Sequence, residues 1–377
     1  MYKKNEGTKM KKIKVLIVMG GSFMGYGGLE SMVMYYYRNL DKDRLQVDFV
    51  FFGDGIGLYD EELQNHGSRL FHLPIKSKHY IKSQRAMKSL LLTEQYDVVH
   101  ANLNAAGILA AMKMAKKCRV PMRIAHAHCT NHGTLNKIRW LLNDYARKNI
   151  SKYSTHNFAC SDIAGEWYFG KGLFVIVPNA IDAERFLFNS KVRNRVREDF
   201  ECKDELVIGH VGNLGYPKNQ IFLLHMFALM IEKGIHAQVW LIGEGEDHEV
   251  LELLAETLQI SSKVKFLGKR QDVHELMQAM DVFVLPSFFE GFPVVVVEAA
   301  AADLPCVISD SITEMALLSD KVRMDSLNDE MDKWISDIEE VCRNERQNSL
   351  KLISEKGFNI KIEAKKLEHF YCTGRYE

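Results

Sequence analysis

Glu290 and Glu298 stand eight positions apart in Phe289-Glu290-Gly291-Phe292-Pro293-Val294-Val295-Val296-Val297-Glu298-Ala299, just after the strand-like stretch from Asp281 to Ser287. At about 3.6 residues per turn, an eight-residue step on a helix returns to nearly the same face, roughly 12 Å further along. The spacing therefore predicts Glu298 one to two turns inside a helix whose start faces Glu290. The orphan N–H groups and positive dipole end of such a start suit an anion, while each carboxylate can accept hydrogen bonds from sugar or ribose hydroxyls. Pro293 fits the first helical turn, where its missing N–H costs nothing, so Phe292, Val294 and Val295 become the amide donors. The plain alternative is a buried helix start with two solvated glutamates, and the pair alone does not choose.

Two glycine-rich stretches add to it. Gly20-Gly21-Ser22-Phe23-Met24-Gly25-Tyr26-Gly27-Gly28-Leu29-Glu30 follows the first apolar run, Val15 to Met19. Gly25, Gly27 and Gly28 miss the spacing of a dinucleotide fingerprint, yet they bare enough backbone for a phosphate or sugar to approach as the next helix begins. A structural tight turn would look the same. His210-Val211-Gly212-Asn213-Leu214-Gly215-Tyr216-Pro217-Lys218-Asn219 repeats the theme with a lysine ahead of a helix. Lys218 there is a point charge for a phosphate, or else an ordinary solvated side chain. No Asp-x-Asp stands at a strand end, so neither a metal nor any other cofactor is expected.

The elements that must position these residues alternate. Strand-like runs are Lys14 to Met19, Val47 to Phe52, Arg69 to Leu73, Val98 to Ala101, Arg123 to His126 and Asn157 to Cys160, with helix patterns between most of them. The alternation restarts at Val207 to Val211, Gln238 to Ile242, Val264 to Leu267, Val282 to Leu285 and Cys306 to Ser309. Continuous apolar strands between amphipathic helices imply parallel sheets covered on both faces. The expected fold class is α/β, with two facing doubly wound, Rossmann-like domains over residues 1–178 and 179–355 and a helix in 356–377 crossing back to the first. Ligands of such sheets sit at the carboxyl ends of the strands, which predicts a cleft between the domains.

Composition narrows the class of function. The chain has 377 residues, 47% of them apolar, enough for two cores. Seven scattered cysteines with no Cys-x-x-Cys pair argue for a reducing compartment and against a zinc site. The lysine-rich start and the short apolar run after it read as a first strand, so a cytoplasmic protein is expected. The net charge of zero conceals an asymmetry: residues 1–178 hold 26 Lys plus Arg against 14 Asp plus Glu, and the rest holds 23 against 35. Asp97 and Asp144 bracket a stretch with no acid but with Lys113, Lys116, Lys117, Arg119, Arg123, Lys137 and Arg139. Such a surface suits an anionic membrane or a phosphorylated acceptor. Attraction between the two halves is the bland reading. Trp140, Leu141 and Leu142 suit an interfacial helix and a core-facing one equally. No nucleic-acid reader motif accompanies the charge.

Taken together, Gly27-Gly28-Leu29-Glu30, Arg123-Ile124-Ala125-His126-Ala127-His128, Pro178-Asn179-Ala180-Ile181-Asp182, Gly212 to Asn219, Gly268-Lys269-Arg270-Gln271-Asp272-Val273 and Pro286-Ser287 to Glu298 carry a family resemblance over nearly the whole chain. The chain resembles the retaining GT-B nucleotide-sugar glycosyltransferases whose signature is Glu-x7-Glu, in particular the bacterial branch that builds capsular polysaccharides and exopolysaccharides. The resemblance implies transfer of a sugar from a nucleoside diphosphate sugar, with uridine as base, to an acceptor hydroxyl with retained configuration; the basic first domain suggests as acceptor a saccharide carried on polyprenyl diphosphate at the inner face of the cell membrane. It implies that Glu298 holds the ribose, that Glu290 and the Gly291-Phe292 backbone face the donor sugar, and that Lys218 with the Gly28 amide neutralises the diphosphate. Arg270 and Val273 would border the base, and His128, or His126, would reach the donor from the first domain.

Three departures stand out. The family usually has arginine where this chain has Asn213, asparagine where it has Cys129, and a glycine-containing turn where it has Ala302-Asp303-Leu304-Pro305. A nucleotide-sugar epimerase of the same architecture and a non-catalytic partner subunit are the rival readings.

Overall fold

The computed structural model describes residues 11–22, 28–129, 136–202, 204–343 and 345–376, with the side chains of 76–78 left aside. Gly25 and Gly27 of the first glycine stretch lie outside these residues. Contacts divide the chain into two units, one running to Val177 and resuming at Glu363, the other spanning Pro178–Ile362.

Among the described residues the first unit is built on seven strands: β1 Ile13–Val18, β2 Leu45–Phe52, β3 Leu70–Leu73, β4 Val98–Asn102, β5 Met122–Ala127, β6 His156–Ala159 and β7 Val175–Ile176. Their order is β3-β2-β1-β4-β5-β6-β7 and every pairing is parallel. The second unit has β8 Leu206–Val211, β9 Ala237–Ile242, β10 Val264–Gly268, β11 Val282–Leu285, β12 Cys306–Ser309 and β13 Val322–Asp325, in the order β10-β9-β8-β11-β12-β13 and again wholly parallel. All residues of β9, β11 and β12 are buried, as continuous Val, Ile and Leu runs covered by helices on both faces require. Two strands go beyond those legible in the sequence. β7 has only two residues, and β13 is a half-buried edge strand whose Val-Arg-Met-Asp composition carries little apolar signal.

In both sheets the order reverses beside the first strand, between β1 and β4 and between β8 and β11. Such a reversal opens a crevice at the carboxyl ends, because the flanking connections leave in opposite directions. The last helix, Ile360–Thr373, begins in the second unit and continues as part of the first. Among the described residues no helix is long and apolar enough to cross a membrane.

Candidate functional site

The reversal between β8 and β11 explains why two residues 72 positions apart meet. The loop after β8 carries Lys218 and the loop after β11 carries Glu290; the Phe288 N–H donates to the Pro217 carbonyl at 2.9 Å and ties the two loops together. Lys218 Nζ donates to Glu290 Oε1 at 2.5 Å, and the Ser287 hydroxyl donates to the same oxygen at 2.9 Å. The lysine expected to stand ready for a phosphate is thus paired with the carboxylate expected to face the sugar. Gly212 makes the approach possible. A Cβ there would meet Lys218 Cε at 3.0 Å, so the lysine stem lies directly on the glycine backbone. Gly243, at φ +140, and Gly245 support the loop from β9: a Cβ on either would lie 1.9 Å from the Gly212 or Leu214 carbonyl oxygen. The signal for them was the Gly-x-Gly step at the end of an apolar strand, which went unread.

Asn213 is exposed, and its carbonyl accepts from Gln220 Nε2 at 2.9 Å. Gln220 is held by buried His210, whose Nδ1 donates to the Val284 carbonyl at 2.9 Å, leaving Nε2 to accept from Gln220 at 3.1 Å. Burial pushes His210 down to about 4, so this clamp is neutral.

Among the described residues, helix Val294–Ala301 starts without a side-chain cap. Pro293 occupies the N-cap with an extended backbone, one position before the first helical turn, so the helix begins on Val294 and Val295. Phe292 precedes it with its ring buried against Phe358 at 5.1 Å and its carbonyl accepting from Asn179 Nδ2 at 3.1 Å. Asn179 Oδ1 is buried without a hydrogen-bond partner among the described residues. One turn on, Glu298 is half-buried, and among the described residues its carboxyl has neither a hydrogen bond nor an ion pair. Desolvation pushes it up to about 7, with Arg185 opposing the shift. Arg185, which the sequence did not single out, donates to the Gln271 carbonyl at 3.3 Å and so borders the Gly268 to Val273 loop. In that loop Gly268 turns at φ +62, Arg270 grips Asp272 through two bonds of 2.8 and 2.6 Å, and Val273 opens the next helix. Arg270 thus pairs within the loop that carries it.

In the first unit Gly28 begins helix Gly28–Asn39, and the histidine pair lies at the end of β5. His126 is fully buried, whereas His128, two residues on, is half-buried, with the ring centroids 3.9 Å apart. His128 Nε2 lies 2.8 Å from Asn102 Oδ1, and His126 Nδ1 lies 3.0 Å from Nε2 of buried His100. Burial and the neighbouring imidazoles push His128 down to about 3 and hold His126 well below its ordinary value. Both are neutral at physiological pH. Asn102 and His100 on β4 escaped the sequence reading; their signal was the matching two-residue step on the adjacent strand.

Residues 26–185 match the model of Glycosyltransferase Family 4, and residues 192–351 match that of Glycosyl transferases group 1. The chain is 36% identical over 314 residues to the putative glycosyltransferase EpsF of Bacillus subtilis, spanning 80% of each chain. It is 26% identical over 315 residues to the UDP-Gal:alpha-D-GlcNAc-diphosphoundecaprenol alpha-1,3-galactosyltransferase of Escherichia coli, spanning 77% of this chain and 79% of that one. Among solved structures, Anabaena HepE in complex with UDP-glucose superposes with a TM-score of 0.76 at 18% identity, over 96% of this chain and 100% of the other. That likeness shows the fold, two Rossmann-like domains of the GT-B type.

Proposed function

The chain belongs to the glycosyltransferases of family 4, and on that premise we propose that it moves a hexosyl or N-acetylhexosaminyl group from a UDP-sugar to a saccharide carried on polyprenyl diphosphate, with retained anomeric configuration, in the assembly of a cell-surface polysaccharide. The observation that carries this reading is the Lys218–Glu290 pair at the crevice of the second sheet, followed one turn into the next helix by Glu298, which has no partner among the described residues. A UDP-sugar is supported by the name of the Escherichia coli relative and by the UDP-glucose bound to HepE. The lipid-linked acceptor is supported by that relative's name alone.

In the proposed reaction the bond between the anomeric carbon and the β-phosphate oxygen breaks and its electron pair stays on the diphosphate. The acceptor oxygen bonds to the anomeric carbon on the face just vacated and gives its proton to the departing phosphate. Catalysis then rests on stabilising the negative charge that develops on the leaving group. Lys218 exchanges Glu290 for the diphosphate, whose greater charge wins the ammonium, and the released Glu290 accepts from a sugar hydroxyl. The Val294 and Val295 amides complete the anion site, and Glu298 accepts from the ribose. His128 contacts the sugar as a neutral group. No metal enters these steps.

Docking of the first unit on an anionic membrane belongs to the same proposal. On helix Lys137–Arg147, Ile138, Leu141, Leu142 and Tyr145 form a stripe 58–70% exposed, and Lys137 and Arg139 are exposed beside them. An apolar stripe facing outward among lysines and arginines suits the interface of an anionic bilayer.

The test is a panel of sugar nucleotides with a polyprenyl diphosphate saccharide in anionic or zwitterionic vesicles, read by mass spectrometry. The expected product is the acceptor extended by one sugar, formed faster on anionic vesicles and unaffected by EDTA. Isomerised nucleotide sugar without transfer would make the protein an epimerase instead.

A further inference from the structure

Helix Ile360–Thr373 does more than cover the first sheet. Parallel pairing sets Ile17 beside His100, Asn102 beside His126 and His126 beside Phe158, so these side chains share one face, as residues two apart on a strand must. On that face Tyr371, buried, brings its hydroxyl to 2.7 Å from His100 Nδ1. Phe370 of the same helix packs on Phe158 at 4.8 Å, and Phe158 meets both imidazoles edge-on. A polar line results: Tyr371, His100, His126, then His128 above His126 with Asn102 beside it.

The line has a direction. Burial holds the Tyr371 proton far above its ordinary range, so the group is a phenol, and His100 Nδ1 is the acceptor within reach. His100 is driven down to about 3 by burial and is neutral. Accepting at Nδ1, it carries its proton on Nε2 and donates to His126 Nδ1. His126 must then carry its own proton on Nε2, a buried nitrogen with no partner among the described residues. His100, Asn102, His126, Tyr36 and Tyr371 line a cavity of about 20 Å³, room for one water to accept from that N–H. At the outer end the Asn102 amide oxygen only accepts, so His128 carries its proton on Nε2 and keeps its lone pair on Nδ1.

We propose that Asn102, His100 and Tyr371 are positioning residues that fix proton placement on the histidine pair, so that His128 offers the donor sugar an uncharged ring with its lone pair on Nδ1. The inference rests on the transferase reading. As the glycosidic bond breaks, the sugar gains positive charge; the lone-pair end of an imidazole dipole stabilises it, whereas an N–H or an imidazolium would oppose it. Direct control is by Asn102. Tyr371 and His100 act one ring further in, holding His126 neutral and oriented beneath His128.

Long-range nitrogen–proton NMR on histidine-labelled protein, assigned by single substitutions, tests the placement without turnover. Wild type should show His100, His126 and His128 each protonated on Nε2. Tyr371→Phe, which keeps the ring, should turn His126 into a mixture of tautomers and lower kcat about three- to tenfold, with the donor KM changed less than about twofold. Asn102→Leu should do the same to His128, with about a tenfold loss in kcat. A His128 proton on Nδ1 in wild type, or an unchanged His126 signal in Tyr371→Phe, overturns the inference. A wild-type protein that binds no nucleoside diphosphate in calorimetry instead overturns the transferase reading beneath it.

Discussion

The first six strands of each unit run in the same order, yet the groups at the carboxyl ends of the two sheets do opposite electrostatic work. At β8 and β11 the chain concentrates charge: an ammonium on a carboxylate at 2.5 Å and, among the described residues, a second carboxyl without a partner and a helix start without a side-chain cap. At β4 and β5 it suppresses charge, with three imidazoles kept neutral by burial. The lesson concerns division of labour. A diphosphate leaving group needs cations and amides, and a sugar approaching an oxocarbenium-like state needs groups that bind hydroxyls without adding positive charge. One topology supplies either, according to which side chains stand at the strand ends.

The broadest way to break this contrast is acid. Unfolded histidine titrates near 6.5, whereas His100 and His128 in the folded unit wait until about 3, and His126 also lies well below its ordinary value. As pH falls through 6.5 the unfolded chain takes up protons that the folded one refuses, so stability declines from there toward pH 3. Three such groups set an upper limit of about 4 kcal/mol per pH unit. In the second unit His210 pulls the same way, but Glu298 pulls the other. Hydrogen exchange at pH 7 and pH 5, corrected for intrinsic rates, should show protection of β4 and β5 falling well ahead of β8 and β11. Parallel loss in the two sheets would mean the histidine row is not held neutral.

Next in size is the charge pair. Lys218→Ala should lower both UDP affinity and turnover at least tenfold, the cost of losing a charge-assisted contact to the diphosphate. Glu290→Gln separates the roles: with its competitor gone, Lys218 should bind UDP as well or better, while transfer falls about tenfold for want of the sugar contact. If UDP binding weakened equally in both variants, the two residues would act only as a structural pair.

How much of this was legible beforehand follows from what each signal depends on. The eleven strands read from the sequence announce themselves because buried parallel strands are continuous apolar runs, and the helix holding Glu298 because Pro293 marks its start. The Lys218–Glu290 bond was not legible. Each residue was placed in its own loop, and only the reversal of strand order brings the loops together. Arg185 sits in a four-residue helix with no pattern to read. Tyr371 reads as one apolar position on an amphipathic helix, and nothing local says that its hydroxyl ends beside a histidine 271 positions away. Trp140, Leu141 and Leu142 stayed ambiguous because spacing shows which residues share a face, not what covers it; the structure leaves them exposed.

The finest probe of the contrast is Glu298, a carboxyl whose own burial works against its charge. Its folded value of about 7 lies above the ordinary glutamate value, so its contribution to stability is complete below the unfolded value and is lost as pH rises through 7. Glu298→Gln keeps the shape and abolishes the ionised form. It should therefore raise Tm by roughly 2–5 °C at pH 8 and leave it nearly unchanged at pH 4.5, where the wild-type carboxyl is largely protonated. The same change should weaken UDP binding about tenfold at pH 8, because a neutral amide accepts less strongly from ribose hydroxyls than a carboxylate does. Scanning fluorimetry and calorimetry on one variant at two pH values separate the outcomes. A more stable protein that binds less nucleotide marks a carboxylate kept at a cost for its ligand. A Tm that falls at pH 8 would mean that Glu298 is paired in solution and that the second unit holds no uncompensated charge.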